Sequence, residues 1–347
     1  MTASSQERTL TTLEELEAEL ATPSEALIAD LAQLDGDLII LGAGGKMGPS
    51  LAKLARNALQ QAGNRARVIA VSRFSSPELQ SELEKAGIET HRADLLHDEE
   101  LQVLPDAANV IFMAGTKFGT SSRASYTWAS NAYLPGRVAQ RYRQSRIVVF
   151  SSGNVYPLVP VVAGGSSEES PTGPIGEYAQ SVLGRERVFE HFSRAFGTPV
   201  LLFRLNYAID LRYGVLLEIA RAVREGSPID LRMGQVNVIW QGDANEMALR
   251  SLAHASTPPA ILNVTGPEVV SVRWLAERFG VMMGREPHFQ GEEQATALLS
   301  NASQAHGLFG YPRVGLREMM RWIVAWLAAD GPTHDKPTHF QERQGAF

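Results

Sequence analysis

The residues with the clearest chemical bearing are glycines. Gly42-Ala43-Gly44-Gly45-Lys46-Met47-Gly48 follows the apolar run Leu38-Ile39-Ile40-Leu41 and precedes a helix-length stretch, Pro49–Ala62. Glycines at a strand-to-helix turn permit a tight bend and let backbone N–H groups approach a phosphate closely. The helix that follows offers its unpaired donors and positive dipole end to the same anion. Strand, glycine-rich turn and helix in that order form the context that a dinucleotide fingerprint requires. A bare βα turn without a ligand would use the same glycines, so the loop has to be weighed with what surrounds it.

The end of the next apolar run, Arg67–Val71, carries Ser72 and Arg73. In dinucleotide sites an acidic residue at this position bonds the ribose 2′-OH, whereas an arginine accommodates a 2′-phosphate. Ser72 stands in the acid's place and Arg73 follows it; a guanidinium grips phosphate through two parallel bonds. This favours NADP over NAD. The competing reading of Arg73 is a solvated loop residue.

Further along, Ala93-Asp94-Leu95, Phe112-Met113-Ala114-Gly115 with Lys117 beyond it, and Asn131 occupy the ends of later strands and the helix that follows. Phe150-Ser151-Ser152-Gly153-Asn154-Val155-Tyr156-Pro157 is similar to the Ser-Ser-x-x-Val-Tyr-Gly motif of the extended short-chain dehydrogenase/reductases, the NAD-dependent epimerase/dehydratase family, with Pro157 in place of glycine. Gly42, Gly45 and Gly48 have that family's spacing, and Glu177-Tyr178-Ala179-Gln180-Ser181 resembles its catalytic-helix entry. The resemblance covers about residues 37–328.

It implies a cofactor site made of Gly42, Gly44, Gly45, Lys46, Met47, Gly48, Ser72, Arg73, Asp94, Leu95, Ala114, Gly115, Lys117, Asn131, Tyr178 and Asn206. It also implies that Ser152 orients a substrate oxygen and Tyr178 moves the proton. The family has a lysine four residues after the tyrosine, one turn along the same face. Here that residue is Val182. A free tyrosine, with a pKa near ~10, is a poor base at neutral pH without a neighbouring cation. Two substitutes are open. Lys117 could approach from a neighbouring loop; Arg185 lies about two turns from Tyr178, a rise of about 10 Å, which makes it the longer reach. Lys117 is the preferred substitute.

These residues need elements to hold them. The short apolar runs at 38–41, 67–71, 109–113, 146–150 and 200–203 read as buried strands separated by helix-length stretches such as 126–144. Strands alternating with helices predict a Rossmann-type α/β fold with a doubly wound parallel sheet. After about Arg204 the pattern loosens into a smaller α/β C-terminal substrate lobe. The expected organisation is a helical extension at 1–36, an NAD(P)-binding domain at 37–203, a substrate lobe at 204–330 that crosses back to the first domain, and an extended tail at 331–347. The long helices at 126–144 and 177–196 are those that build a four-helix homodimer interface in the resembled family. Along the second, Val182, Phe189 and Phe196 make a stripe better suited to packing than to chemistry.

Composition limits the alternatives. The 347 residues are 44% hydrophobic and 20% charged, with a net charge of −6 and no cysteine. This is a globular composition without a nucleic-acid footprint, thiolate chemistry or disulfides. The eight histidines show no metal-ligand spacing, so no metal is expected. There is no secretory pattern at the N-terminus and no apolar run that could span a bilayer, so no membrane partner is expected and the cytoplasm is the expected location. Arg212, Arg232 and Arg273 are candidates to hold an anionic group of a small-molecule substrate, although each could equally be a surface arginine. The resulting expectation is an NAD(P)-dependent oxidoreductase or epimerase/dehydratase acting on a sugar, sugar acid or sugar nucleotide. The alternative is a catalytically impaired NADP-binding sensor or partner protein, because Val182 replaces the motif lysine.

Overall fold

The N-terminal segment folds because its helix starts are well capped. In the computed structural model, which describes residues 8–117 and 122–346, Thr12 and Glu15 form a reciprocal capping box on α1 (Leu13–Leu20) and Ser24 caps α2 (Glu25–Ala32). Leu16 and Leu20 of α1 enter the core of the C-terminal half, whereas Leu27 and Leu31 of α2 pack onto the central sheet. The segment therefore joins both halves of the molecule.

The central sheet has seven parallel strands: β1 (Leu38–Leu41), β2 (Val68–Ser72), β3 (Glu89–Arg92), β4 (Asn109–Phe112), β5 (Arg146–Ser152), β6 (Val200–Leu205) and β7 (Ala260–Val264). Their order is β7-β6-β5-β4-β1-β2-β3. Strands β1 and β4 are buried throughout, as continuous apolar runs covered on both faces must be. Helices α3 (Gly48–Gln61), α4 (Pro77–Lys85), α5 (Asp98–Gln102), α6 (Ala124–Trp128), α7 (Leu134–Arg141) and α8 (Gly176–Phe196) complete the doubly wound layers. A one-turn π-helix, Ala129–Tyr133, joins α6 to α7, so the stretch read as one helix contains a bulge.

Strand order reverses between β1 and β4, and an open parallel sheet leaves its crevice at the carboxyl ends of such strands. The glycine loop lies there. Gly42 has φ +96° and sits so close to Ala114 that a Cβ would strike its backbone; Gly48 is pressed in the same way against the Ala43 carbonyl. No other residue type fits the backbone at those two positions.

Beyond β6 the chain forms α9 (Val215–Glu225), α10 (Gln241–Arg250), β7, α11 (Val272–Met283), α12 (Ser303–Phe309) and α13 (Leu316–Ala328), with several two-stranded ladders between them. Helices α9, α11 and α13 share an apolar core that includes Trp240, Trp322 and Trp326. The segment after α13 has no regular structure, yet it is fixed in place. Phe340 is buried in the same core, and the Thr338 backbone N–H and hydroxyl donate to the Glu218 carboxylate on α9. No helix among the described residues is long and apolar enough to cross a membrane.

Candidate functional site

A cleft of about 730 Å³ opens along the carboxyl edge of the sheet, within the size range of small-molecule and cofactor sites. Gly42, Gly44, Gly45, Lys46, Met47, Gly115, Lys117, Ser152, Tyr178 and Asn206 all line it. The other residues expected at the site stand outside its lining. Gly48 begins α3, and Ala114 backs onto Gly42. Ser72 presses its hydroxyl against the space that a Cβ on Gly44 would need. Arg73 is exposed, and its guanidinium donates to the Tyr126 hydroxyl at 3.3 Å. Asp94 accepts from the Leu96 N–H at 3.0 Å, closing the turn after β3, and Leu95 is buried in the core on one face of the sheet.

Asn131, carried by the π-turn, is fully buried behind Gly115. Its carbonyl oxygen accepts from the Thr116 N–H at 2.9 Å and from the Arg185 guanidinium at 2.9 Å, while its amide donates to the Thr116 carbonyl and to the Ser181 hydroxyl. Arg185 also donates to the Phe150 carbonyl at 2.6 Å.

Burial raises the Tyr178 hydroxyl above its ordinary value, and the Arg185 charge and a hydrogen bond with Ser152 offset only part of that rise. Burial brings the guanidinium itself down to about 10. Lys117, the substitute preferred from sequence, has its ammonium 5.9 Å from the centre of the Tyr178 ring and 3.5 Å from the Thr338 carbonyl. The Arg185 charge acts on Tyr178 across a rise of two turns, as helical side chains lean toward the N-terminus. Val182 packs with Val155 and Tyr156, and Tyr178 lies against the same cluster. Of the stripe it begins, Val182 and Phe189 are buried and Phe196 is exposed.

A buried ion pair supports this constellation. Glu186 receives two bonds from Arg204 on β6, at 2.9 and 2.6 Å, and one from the Ser151 hydroxyl. Arg204 also donates to the Tyr156 hydroxyl at 2.7 Å, which donates in turn to Asn263 on β7. The residue next to Ser152 is thus tied to α8 and to two strands.

The three candidate anion-binding arginines divide. Arg212 lines the cleft but is held by Asp210 and Glu17. Arg232 and Arg273 lie outside the cleft lining, paired with Asp230 and Glu293. Sequence reasoning missed the contribution of the two ends of the chain, since Glu17, His334, Lys336 and Thr338 all line the same cleft. Among the described residues no cluster of three or more His, Asp or Glu side chains could hold a metal ion.

The cradle fits a dinucleotide. A Cβ on Gly45 would meet nothing closer than 3.6 Å, so the loop surface there is open, whereas Gly42 and Gly48 are closed in by backbone. Removal of Arg204 would leave Glu186 buried without its ionic partner. Arg204→Met is therefore expected to cost about 3–5 kcal/mol in urea unfolding, and the double change with Glu186→Leu to recover most of it. An Arg204→Met protein that unfolds like the wild type would show that the pair does not hold α8.

Solved structures share this architecture. MoeE5 in complex with UDP-glucose and NAD aligns with a TM-score of 0.67 and 20% identity over 85% of this chain and 99% of its own. The UDP-glucose 4-epimerase of Thermus thermophilus, in complex with NAD, gives 0.69 and 18% over 84% and 99%. The UDP-glucuronic acid 4-epimerase of Bacillus cereus, in complex with NAD, gives 0.68 and 15% over 84% and 98%. No curated protein matches the chain significantly in sequence. The profile of the NAD dependent epimerase/dehydratase family matches residues 38–229, more than half of the sequence, and the chain belongs to that family.

Proposed function

We propose that the protein is an NADP-dependent epimerase, dehydratase or reductase that acts on a sugar-nucleotide-like substrate at Ser152 and Tyr178, with Arg185 in the role of the motif lysine. The observation that carries this reading is that Ser152, Tyr178 and Arg185 line one cleft with the glycine loop, with the Tyr178 hydroxyl hydrogen-bonded to Ser152. The UDP-sugars named with the similar structures support the substrate class. Residues 37–203 would form the cofactor-binding unit and 204–330 the substrate lobe.

Backbone N–H groups of Lys46 and Met47 would receive the dinucleotide phosphates at the start of α3. A bound nicotinamide supplies hydride exchange, which no side chain of the cleft can perform. Ser152 holds the reacting substrate oxygen by a hydrogen bond. The proton on that oxygen passes to Tyr178 Oη, which must be ionised beforehand; the Arg185 charge favours that tyrosinate, and the transfer leaves neutral tyrosine. Asn131 and the Phe150 carbonyl keep the guanidinium aimed. Family membership supports this reading over a cofactor sensor without catalysis.

Tyr178→Phe is expected to lower turnover by about 10²–10⁴-fold. Tyrosine works as a base only when ionised, so activity rises as pH passes its pKa. Arg185→Met removes a charge that lowers that pKa, and the rising limb of the pH–rate profile should move to higher pH. A limb that stays in place, or a Tyr178→Phe enzyme that turns over like the wild type, would remove the assigned roles.

The preference for NADP rests on Ser72 and the exposed Arg73. Arg73→Ala should weaken NADPH binding by about tenfold or more, the size of a lost charge-assisted bond, and leave NADH binding alone. Equal losses for both cofactors would refute the preference. A homodimer through α6–α7 and α8 is supported by Trp128 and Tyr133, which stand 39% and 60% exposed on that face. Light scattering should then give twice the 37.8 kDa chain mass; a single-chain mass would count against the interface.

A further inference from the structure

The segment after α13 crosses the mouth of the cleft. It turns at Gly331, which abuts the Trp326 ring. The His334 N–H then donates to the Arg212 carbonyl at 3.0 Å, and Thr338 is bound to Glu218. Next, the Tyr207 hydroxyl meets the Phe340 carbonyl at 3.4 Å. The segment ends with Gly345 against Gly176, the first residue of α8, two positions before Tyr178. Between these anchors, His334, Lys336 and Thr338 face the cleft.

This crossing brings like charges together. Lys46 comes from the glycine loop, Lys117 from the loop after β4, and Lys336 from the C-terminal segment, and all three line one cleft. The carboxylates that act on them are Asp210 and Glu218. Asp210 is already engaged by Arg212, and Glu218 by Thr338. The Lys46 ammonium lies 3.0 Å from the centre of the Tyr213 ring, on the side of the substrate lobe. Burial and the charges of Lys117 and Lys336 bring Lys46 down to about 7, and burial brings Lys117 to about 8. A fold that gathers ammonium groups in a partly buried cleft incurs repulsion and desolvation, and a bound polyanion offsets both.

We propose that Lys336, with Lys46 and Lys117, forms a diphosphate-binding clasp, so that the C-terminal segment completes the cleft of this enzyme. The diphosphate could belong to the dinucleotide cofactor or to a nucleotide-linked substrate, since both carry the same group. The proposal rests on the reading of the cleft as a dinucleotide and sugar-nucleotide site, and its test separates the two.

Lys336 is exposed and is held by none of the anchoring contacts described above, so its replacement should leave the fold intact. Calorimetric titration of the full chain with NADPH, NADH and UDP would compare wild type, Lys336→Gln and Lys336→Glu at matched melting temperature. Affinity for at least one of these should fall about fivefold with glutamine and twentyfold or more with glutamate, and its salt dependence should shrink. A loss confined to UDP assigns the clasp to the substrate's diphosphate, and a loss confined to NADPH or NADH assigns it to the cofactor's. Wild-type binding with no loss in either variant overturns the clasp and leaves the functional reading standing. Failure of the wild type to bind any of the three overturns both.

Discussion

Adjacent residues of α8, Arg185 and Glu186, are both buried and carry opposite charges. Each charge taken out of water costs several kcal/mol unless it is paired and hydrogen-bonded. Their partners lie in different directions. Arg185 points to Phe150 and Asn131, and Glu186 points to Arg204 and Ser151. Successive side chains on a helix are about 100° apart, so satisfying both charges leaves α8 one rotation and one axial position. That position places Tyr178 beside Ser152. It also turns residue 182 toward Val155 and Tyr156, an apolar wall where a lysine ammonium would have to be desolvated. Valine at the motif position and arginine seven residues after the tyrosine are thus two consequences of one helix orientation.

The bulge between α6 and α7 belongs to the same arrangement. A regular helix spaces its side chains evenly, and a π-turn re-aims one of them. Here the re-aimed residue is Asn131, whose amide satisfies donors and acceptors on the loop after β4 and on α8 at once. Gly115 must be glycine for this to work, because a Cβ there would strike both Asn131 and the Arg185 guanidinium. The third glycine-bearing segment therefore serves the helix cation as well as the cleft surface.

The parts of this molecule legible in the sequence were those written in local pattern. Runs of apolar residues bounded by turns gave β1, β2, β4, β5 and β6, and the helix-length stretch after the glycine loop located α3. Strand β3 was not legible, since Glu89-Thr90-His91-Arg92 has no apolar run; it is a half-exposed edge strand. The run at 261–264 was read as part of the second lobe, and its pairing with β6 came from tertiary contacts that no local pattern encodes. In the site, the glycine loop, Ser152 and Tyr178 were found by motif. Arg185 was weighed by axial rise alone, without the backward lean of helical side chains. The polar, proline-containing stretch after Gly331 has no periodicity, so nothing local showed that it would be anchored across the cleft.

That anchoring changes how access to the cleft should be understood. The family profile spans residues 38–229, and both segments that flank the opening lie outside it. From the N-terminal side, Glu17 bonds Lys53 on α3 and Arg212 at the cleft wall. From the C-terminal side, the backbone of His334 bonds the carbonyl of the same Arg212. One arginine, itself fixed by Asp210, therefore joins the two ends of the chain beside the cleft. Arg212 was first a candidate to hold an anion. With three of its neighbours already bound to it, Arg212 seats the segment that carries Lys336 along the cleft.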